Sequence, residues 1–389
     1  MNLYKKKLLF ISARFPYPLH KGDQLVLYNN IRLMHKNYEI TLITMYDEDY
    51  ELINLKKLTR YCKKIVTIKR LKIESYFNML LAPFFQIPFQ VAYYKSKNFR
   101  KAIDELLKSK RFDIIHVYSI RIAGYLKDLK SFKVLSLIDS VALNLSRRVV
   151  KEIGIKKLMF RYEAFLIKKY EKNMVCNYDK TIVVSKIDKN YINIDDIDVI
   201  PIGIDTKKIK NDRISNKIIF SGNMGYFPNE NAVNWFLSNC FKKIKNCVPN
   251  VEFIVAGKNP SKKIKKLHNG KNIFIKGFVL SMTDALRHSS ISIAPMQAGS
   301  GMQIKVLEAM SIGLPIVATD YGKGDISVEH KKNIVIANDP IEFADECVKL
   351  LKYKKNRDFI RKNAYEFIKL NHSWKIIKDK YLSIYNSKV

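Results

Sequence analysis

Long apolar runs are missing from this 389-residue chain. Nowhere do about 18 uncharged apolar residues follow one another, so no membrane-spanning helix is expected. Cysteines are few and scattered (Cys62, Cys176, Cys240, Cys247, Cys347), with no C-x-x-C pair. An odd number in a chain this long argues for free thiols in a reducing cytoplasm and against a disulfide framework. No His/Cys cluster has the spacing of a zinc site, and no internal repeat or low-complexity segment stands out. Acidic residues are scarce beside basic ones: 36 against 70, a net charge of +34. Such a balance attracts polyanions. A nucleic-acid module concentrates aromatics and arginine beside its basic patch. Here lysine dominates and is spread evenly, which points away from nucleic acid. An anionic membrane surface remains, beside plain compositional drift. The opening MNLYKKKLLFISARF has the basic-then-apolar order of a signal peptide, but LLFIS is short and Arg14 breaks it. It reads as a first strand.

What is present supports two domains of ordinary size, since 47% of the residues are hydrophobic. The chain is organised around residues 291–320. Ile291, Ile293 and Ala294 end a short apolar strand closed by Pro295, and Gly299-Ser300-Gly301 make a turn. Residues 302–311 have helical spacing and stop at Gly313 and Pro315; 315–319 read as the next strand. Parallel sheets are built from such strand, turn, helix, strand units. The turn offers backbone N–H groups and a positive helix end to an anion, and glycine permits close approach. Lys305 and Glu308 share one side of the helix, while Val306, Leu307 and Met310 face the sheet. N–H donors, then an ammonium, then a carboxylate suit a diphosphate followed by a ribose diol. An ordinary helix start with a surface Lys–Glu pair has the same spacing.

The segment SGMQIKVLEAMSIGLPIVATD resembles the nucleotide-sugar signature of the family 4 glycosyltransferases of the GT-B fold. It is especially similar to a bacterial polysaccharide-assembly branch with the pattern G-x-G-x-x-x-K-x-x-E-A-M-x-x-G-x-P. Most of that family has two glutamates eight apart. Glu308 matches the second, and Ser300 stands at the first. The resemblance places the first near the donor sugar, a duty that would fall here to backbone N–H groups from Gly299 to Gly301.

In the N-terminal half, residues 7–13 and 38–44 read as strands around a helix over 24–36, the β-α-β start of a doubly wound domain. The loop RFPYPLHKGDQ resembles the opening of the same branch, which implies that Gly22, flanked by Lys21 and Asp23, faces the donor phosphates. Residues 62–70 read as a third strand. The stretch 76–94 is dense in aromatics, broken by Pro83 and Pro88, and followed by Lys95, Lys97 and Lys101. It reads either as an elbow tucked against the domain or as a surface in the lipid headgroup region. A helix is expected over 99–110. DIIHVYS (113–119) is a buried strand that resembles the family's D-x-x-H-x-H, so His116 would face the donor sugar; alone, such a histidine is a satisfied core residue. Residues 136–140 read as a strand ending near Asp139, similar to a D-x-D-S segment, and Asp139 would receive or position an acceptor hydroxyl. Residues 143–175 read as one long basic helix, either a charged surface or a contact for a lipid-linked diphosphate, and 181–185 as the last strand of this half.

Residues 195–205 read as an extended connector resembling the family hinge, and 207–216 as a polar loop. The strand from Lys217 runs into a second glycine turn, SGNMG, where most family members carry Arg and then Lys. Here Gly222, Asn223 and Met224 stand there, so the positive charge is assigned to Lys305. Strands follow over 251–257 and 273–279, and the resemblance lays Gly277 to Val279 against the nucleotide base. Helices are expected over 229–241, 282–288, 341–351, 358–370 and 373–386. The chain is identified as a member of the GT-B glycosyltransferases: two Rossmann-like doubly wound domains facing across a cleft, 1–198 on the acceptor side and 199–372 on the nucleotide-sugar side. A helix over 373–389 would cross back. The resemblance implies retaining transfer from a UDP- or GDP-sugar to a lipid-linked glycan acceptor, with no metal and no cofactor. The catalytic candidates are His116, Asp139 and Lys305; the donor-binding candidates are Gly22, Gly222, Asn223, Val279, Gly299, Ser300, Gly301, Lys305 and Glu308. The expected location is cytoplasmic, peripheral at the inner face of the cell membrane. The alternatives are a sugar-nucleotide epimerase of GT-B fold and a non-catalytic glycan- or polyanion-binding protein.

Overall fold

A computed structural model describes residues 5–19, 22–126, 129, 131–150, 152–206, 215–298 and 301–387. The chain divides into two compact units, Met1–Ile202 with Ile377–Val389, and Gly203–Ile376. Each is built on one all-parallel sheet. The first contains β1 (Lys6–Ser12), β2 (Tyr38–Tyr46), β3 (Lys64–Lys69), β4 (Ile114–Tyr118), β5 (Lys133–Ile138), β6 (Lys180–Val183) and β7 (Ile197–Val199). Their order in space is β3-β2-β1-β4-β5-β6-β7. The second contains β8 (Lys217–Ser221), β9 (Glu252–Ala256), β10 (Ile273–Gly277), β11 (Ile291–Ala294), β12 (Ile316–Ala318) and β13 (Val335–Ile336), in the order β10-β9-β8-β11-β12-β13. Both orders run outward in one direction and then reverse, between β1 and β4 and between β8 and β11. Open α/β sheets bind ligands at such reversals, beyond the carboxyl ends of the strands.

The central strands are continuous apolar runs because helices cover both faces of a parallel sheet. Leu8 to Ile11 in β1 and all of β4, β5 and β11 are buried. β3, at the edge, is only half-buried. The covering helices are amphipathic for the same reason. In Lys97–Ser109 the buried positions Phe99, Ile103 and Leu106 recur at helical spacing, and the Ser96 hydroxyl caps the start by accepting from the Phe99 N–H. Among the described residues no helix is long and apolar enough to cross a membrane.

Most expected elements are present, with ends displaced by a few residues. Three readings need correction. The helix expected over 143–175 is two, Val141–Val149 and Gly154–Cys176. Gly154, the first residue of the second helix, has φ of 61°, outside helical geometry, so the chain turns as that helix begins. Glu163 and Glu171, which interrupt its run of basic residues, are buried. Glu163 accepts from the Phe89 and Gln90 N–H groups at 2.7 and 3.1 Å, and Glu171 from Val141 and Ala142 at 2.7 and 3.2 Å. Each carboxylate therefore caps the start of another helix. The connector over 195–205 includes β7, which pairs with β6. Finally, of the two readings of 76–94 the tucked elbow does not hold: Tyr76, Phe77, Leu80, Phe84 and Phe85 are exposed, while Ala82, Val91, Ala92 and Tyr94 are buried. Lys21 and residues 207–214 lie outside the described residues.

Candidate active site

In the second unit the chemistry gathers at the reversal between β8 and β11. β8 ends at Ser221 and the chain turns through Gly222 and Asn223. Gly257, just past β9, lies so close that a Cβ on it would stand 1.7 Å from the Gly222 carbonyl oxygen. Only glycine fits, and the two strand ends are drawn together. The helix Phe227–Asn239 then carries Asn229, whose side-chain N–H donates to the Asn223 carbonyl at 2.8 Å. That bond fixes the amide, so its oxygen points to Lys305. The Lys305 ammonium donates to Asn229 Oδ1 at 2.5 Å and to the Met296 sulfur at 3.4 Å, and lies 4.7 Å from the Phe220 ring centroid. A cation is thus half-buried among an amide, a thioether and an aromatic face, all uncharged.

Burial lowers the Lys305 pKa to about 7, opposed by the charge of Glu308. Burial also raises the Glu308 carboxyl to about 7, opposed by Lys305. Both charged forms are disfavoured until something compensates them. An anion against Lys305 would do so. The helix Ile304–Ser311 that carries both residues begins at Gln303 with no side-chain cap, leaving its first N–H groups available to a ligand. Gly301 enters this helix with φ of 75°. Its carbonyl accepts from the Asp325 N–H at 3.4 Å, which pins the turn to the next loop. Gly299 and Ser300 lie outside the described residues. Gly222 is half-buried and Asn223 is exposed, its side-chain oxygen accepting from the Gly225 N–H at 3.1 Å. Val279 lies two residues past β10, half-buried between exposed Phe278 and Leu280.

In the first unit His116 stands on β4 but reaches no surface: its exposure is 0%. Nδ1 is 2.6 Å from the Tyr385 hydroxyl and Nε2 is 2.8 Å from Ser136 Oγ. Tyr118 stacks on it with centroids 4.4 Å apart, and Tyr381 approaches to 6.0 Å. Burial pushes its pKa down to about 3, so the ring is neutral. In place of the sugar contact expected for it, the structure shows His116 fastening Tyr385, and with it the end of the helix Trp374–Asn386, to β4. Gly22 opens the helix Gly22–Met34 beside Asp23.

Asp139 is half-buried, one residue beyond β5. Ile138 before it has φ of 68° and Ser119, one residue past β4, has φ of 101°. Left-handed backbone in a β-branched residue is strained, and such strain clusters at functional sites. The peptide after Asp139 is held firmly. The Ser140 N–H donates to Asp188 Oδ1 and its hydroxyl to Glu171 Oε2, both at 2.8 Å. The sequence reading did not single out as ligands Arg14 and Arg121 in this unit, nor Asn229 and Met296 in the second. Asn229 closes the SGNMGYFPN motif, which was its signal. Arg121 sits in no motif. Among the described residues no group of three His, Cys, Asp or Glu side chains is arranged to hold a metal.

Two doubly wound parallel units, each with polar residues at its strand-order reversal, define the GT-B class. The structure of Anabaena Alr3699/HepE in complex with UDP is similar to this chain with a TM-score of 0.70 and 13% identity, covering 98% of this chain and 100% of that one. Residues 215–353 match the family model Glycosyl transferases group 1. A Klebsiella pneumoniae protein named "Uncharacterized 44.6 kDa protein in cps region" is 27% identical over 390 residues, covering 95% of this chain and 97% of the relative. The Escherichia coli UDP-Gal:alpha-D-GlcNAc-diphosphoundecaprenol alpha-1,3-galactosyltransferase is 22% identical over 274 residues, 63% of this chain and 68% of its own.

Proposed function

We propose that this glycosyltransferase moves a sugar, with retention at the anomeric carbon and without a metal, from a nucleoside diphosphate sugar to a lipid-linked glycan acceptor during surface-polysaccharide assembly. The observation that carries the reading is Lys305, a half-buried ammonium with uncharged neighbours at the strand-order reversal of the second sheet. Departure of the nucleotide builds charge on its diphosphate, and a preorganised cation in a partly dry site stabilises that charge. Glu308, one turn further, would accept from the ribose hydroxyls. Gly222, Asn223, Gly301 and Val279 would line the same donor site. Asp139, on its strained strand end, would position the acceptor hydroxyl. The named activity of the Escherichia coli relative and the UDP bound to the Anabaena neighbour support a UDP-sugar and a polyprenyl-linked acceptor.

The first unit supports work at the inner face of an anionic membrane. Exposed apolar side chains crowd the helix Lys72–Leu81 and the turn Ala82–Phe85, with Ile73 at 86% and Phe84 at 82% exposure. A second group, Val150 to Phe165, lies on and before the helix Gly154–Cys176. Phe89, four residues past that turn, approaches Tyr162 of the second group with centroids 6.4 Å apart. Lys95, Lys97, Lys156, Lys157 and Arg161 are exposed alongside. Apolar side chains beside lysines fit an anionic headgroup layer.

Transfer assays with lipid-linked acceptors, after a thermal-shift panel of nucleotide sugars, test the reading. Lys305→Ala is expected to lower kcat/KM by about 10²–10³ with the fold intact, the usual loss for one such electrostatic donor, and Glu308→Ala to weaken nucleotide binding. Near-wild-type transfer by both would sink the site. Conversion of the nucleotide sugar with no acceptor present would show an epimerase instead.

A further inference from the structure

The first unit holds a cluster of cations that the donor site does not use. Arg14 leaves the carboxyl end of β1 and Arg121 that of β4, the two strands between which the first sheet reverses. Both guanidinium carbons lie 5.9 Å from the ring centroid of one buried tyrosine, Tyr94, and Arg70 lies 5.2 Å from it. Arg14 is ion-paired to Asp23 at 2.8 Å and donates to the Tyr94 hydroxyl at 3.2 Å. Arg121 is held by a neutral group instead: Nε and Nη2 both donate to Gln90 Oε1, at 3.2 and 2.7 Å. Three like charges are thus gathered around one ring; Asp23 pairs with Arg14 and Asp47 with Arg70, at 2.7 Å, while the side-chain partner of Arg121 is the neutral Gln90. Burial and the charge of Arg14 both lower the Arg121 pKa, with Tyr94, Asp23 and Asp139 acting the other way. Burial therefore disfavours the charge of Arg121 in particular, and an anion held beside it would compensate that charge. Guanidinium forks grip phosphate oxygens in pairs.

Gln90, which orients Arg121, belongs to the helix Phe89–Tyr93. That helix follows the turn Ala82–Phe85, whose Phe84 and Phe85 are exposed. The cation cluster and the apolar face are therefore joined by one short run of chain. A ligand matching both has a phosphate head and an apolar tail.

We propose that Arg14 and Arg121 form a phosphate-binding subsite of the first unit that holds the diphosphate of a polyprenyl-linked acceptor. The assignment rests on the transferase reading above for the word acceptor; the subsite itself rests on the arginines. Its test uses the full chain with UDP at saturation, so that the Lys305 site is filled, and farnesyl diphosphate as a soluble probe. Binding is followed by calorimetry. Arg121→Gln and Arg14→Gln are expected to weaken the probe at least tenfold each while UDP affinity stays within about twofold. Arg121→Lys, which keeps the charge and loses the fork, should fall between. An unfolding midpoint in urea close to wild type identifies the variants that remain folded. Probe binding unchanged in both folded Gln variants overturns the subsite. An equal loss of UDP affinity overturns the acceptor assignment, because the anion would then be the donor's. Displacement of the probe by phosphatidylglycerol vesicles as readily as by inorganic pyrophosphate also overturns it, since a membrane headgroup would then be the ligand. Failure of UDP to bind the wild-type chain would count against the transferase reading and leave the arginine comparison standing on the probe alone.

Discussion

Lys305 shows how one residue's surroundings set its chemistry. An exposed lysine stays charged far above neutral pH, whereas burial among Phe220, Met296 and Asn229 brings this one to about 7. The protonated form is the one that grips an anion. Raising the pH through 7 removes that proton, and Glu308, raised to about 7 by its own burial, loses one over the same range and adds a negative charge. The first change weakens the hold on the diphosphate, while the second leaves Glu308 a better acceptor for the ribose hydroxyls, so the Lys305 proton sets the direction. UDP affinity is therefore expected to be greatest below pH 7 and to fall by up to about tenfold per unit above it. Binding should take up protons as the pH passes 7, measurable as a difference in heat between buffers of unlike ionisation enthalpy. Lys305→Ala should flatten the profile; an equally steep profile in that variant would refute the assignment. His116 carries the opposite lesson. At about 3 its ring is neutral at any working pH, so no inflection in a pH–rate profile should move in His116 variants that fold. Its strand position was legible from the alternation of DIIHVYS. What covers it was not, because Tyr385 lies 269 residues away.

At the scale of elements, the helix Gly154–Cys176 acts as a spine whose two buried glutamates, two turns apart on one face, cap the starts of Phe89–Tyr93 and Val141–Val149. Periodicity announced the helix, but a composition rich in lysine disguised these acids as surface charge. Glu171→Ala would leave the Val141 and Ala142 N–H groups and the Ser140 hydroxyl without their acceptor. The expected loss is about 2–4 kcal/mol of stability in the first unit, read from urea unfolding. Glu171 also makes stability depend on pH. Burial raises it from 4.5 to about 7, so the folded chain holds this proton when the unfolded chain has released it. The contribution is full below pH 4.5 and disappears as the pH rises through 7. Glu171→Gln is expected to remove that slope, and a slope unchanged in the variant would show that other groups carry it. Because Ser140 follows Asp139, slackening this cap should also lower transfer without touching UDP binding.

At the scale of the whole molecule, the excess of 34 positive charges leaves an anionic membrane surface and compositional drift side by side on the sequence alone. The fold sets some of it beside the exposed apolar face of the first unit. Replacing Phe84 and Phe85 with Asp is expected to reduce cosedimentation with phosphatidylglycerol vesicles at least tenfold, given roughly 1.5–3 kcal/mol for burying each ring. Transfer to a short water-soluble acceptor should persist. Sedimentation unaffected by both changes would remove this face from the account. The sequence by itself determined the two α/β halves, the run of parallel strands, and the Lys305–Glu308 helix behind its glycine turn, because each follows from local spacing and turn chemistry. Tertiary structure alone decided that Asn229 would hold Lys305 across 76 residues, that Tyr385 would seal His116, and that Arg14 and Arg121 would meet at Tyr94. The physical reason is that burial and partner choice depend on which distant segments pack together, and no local pattern of residues encodes that.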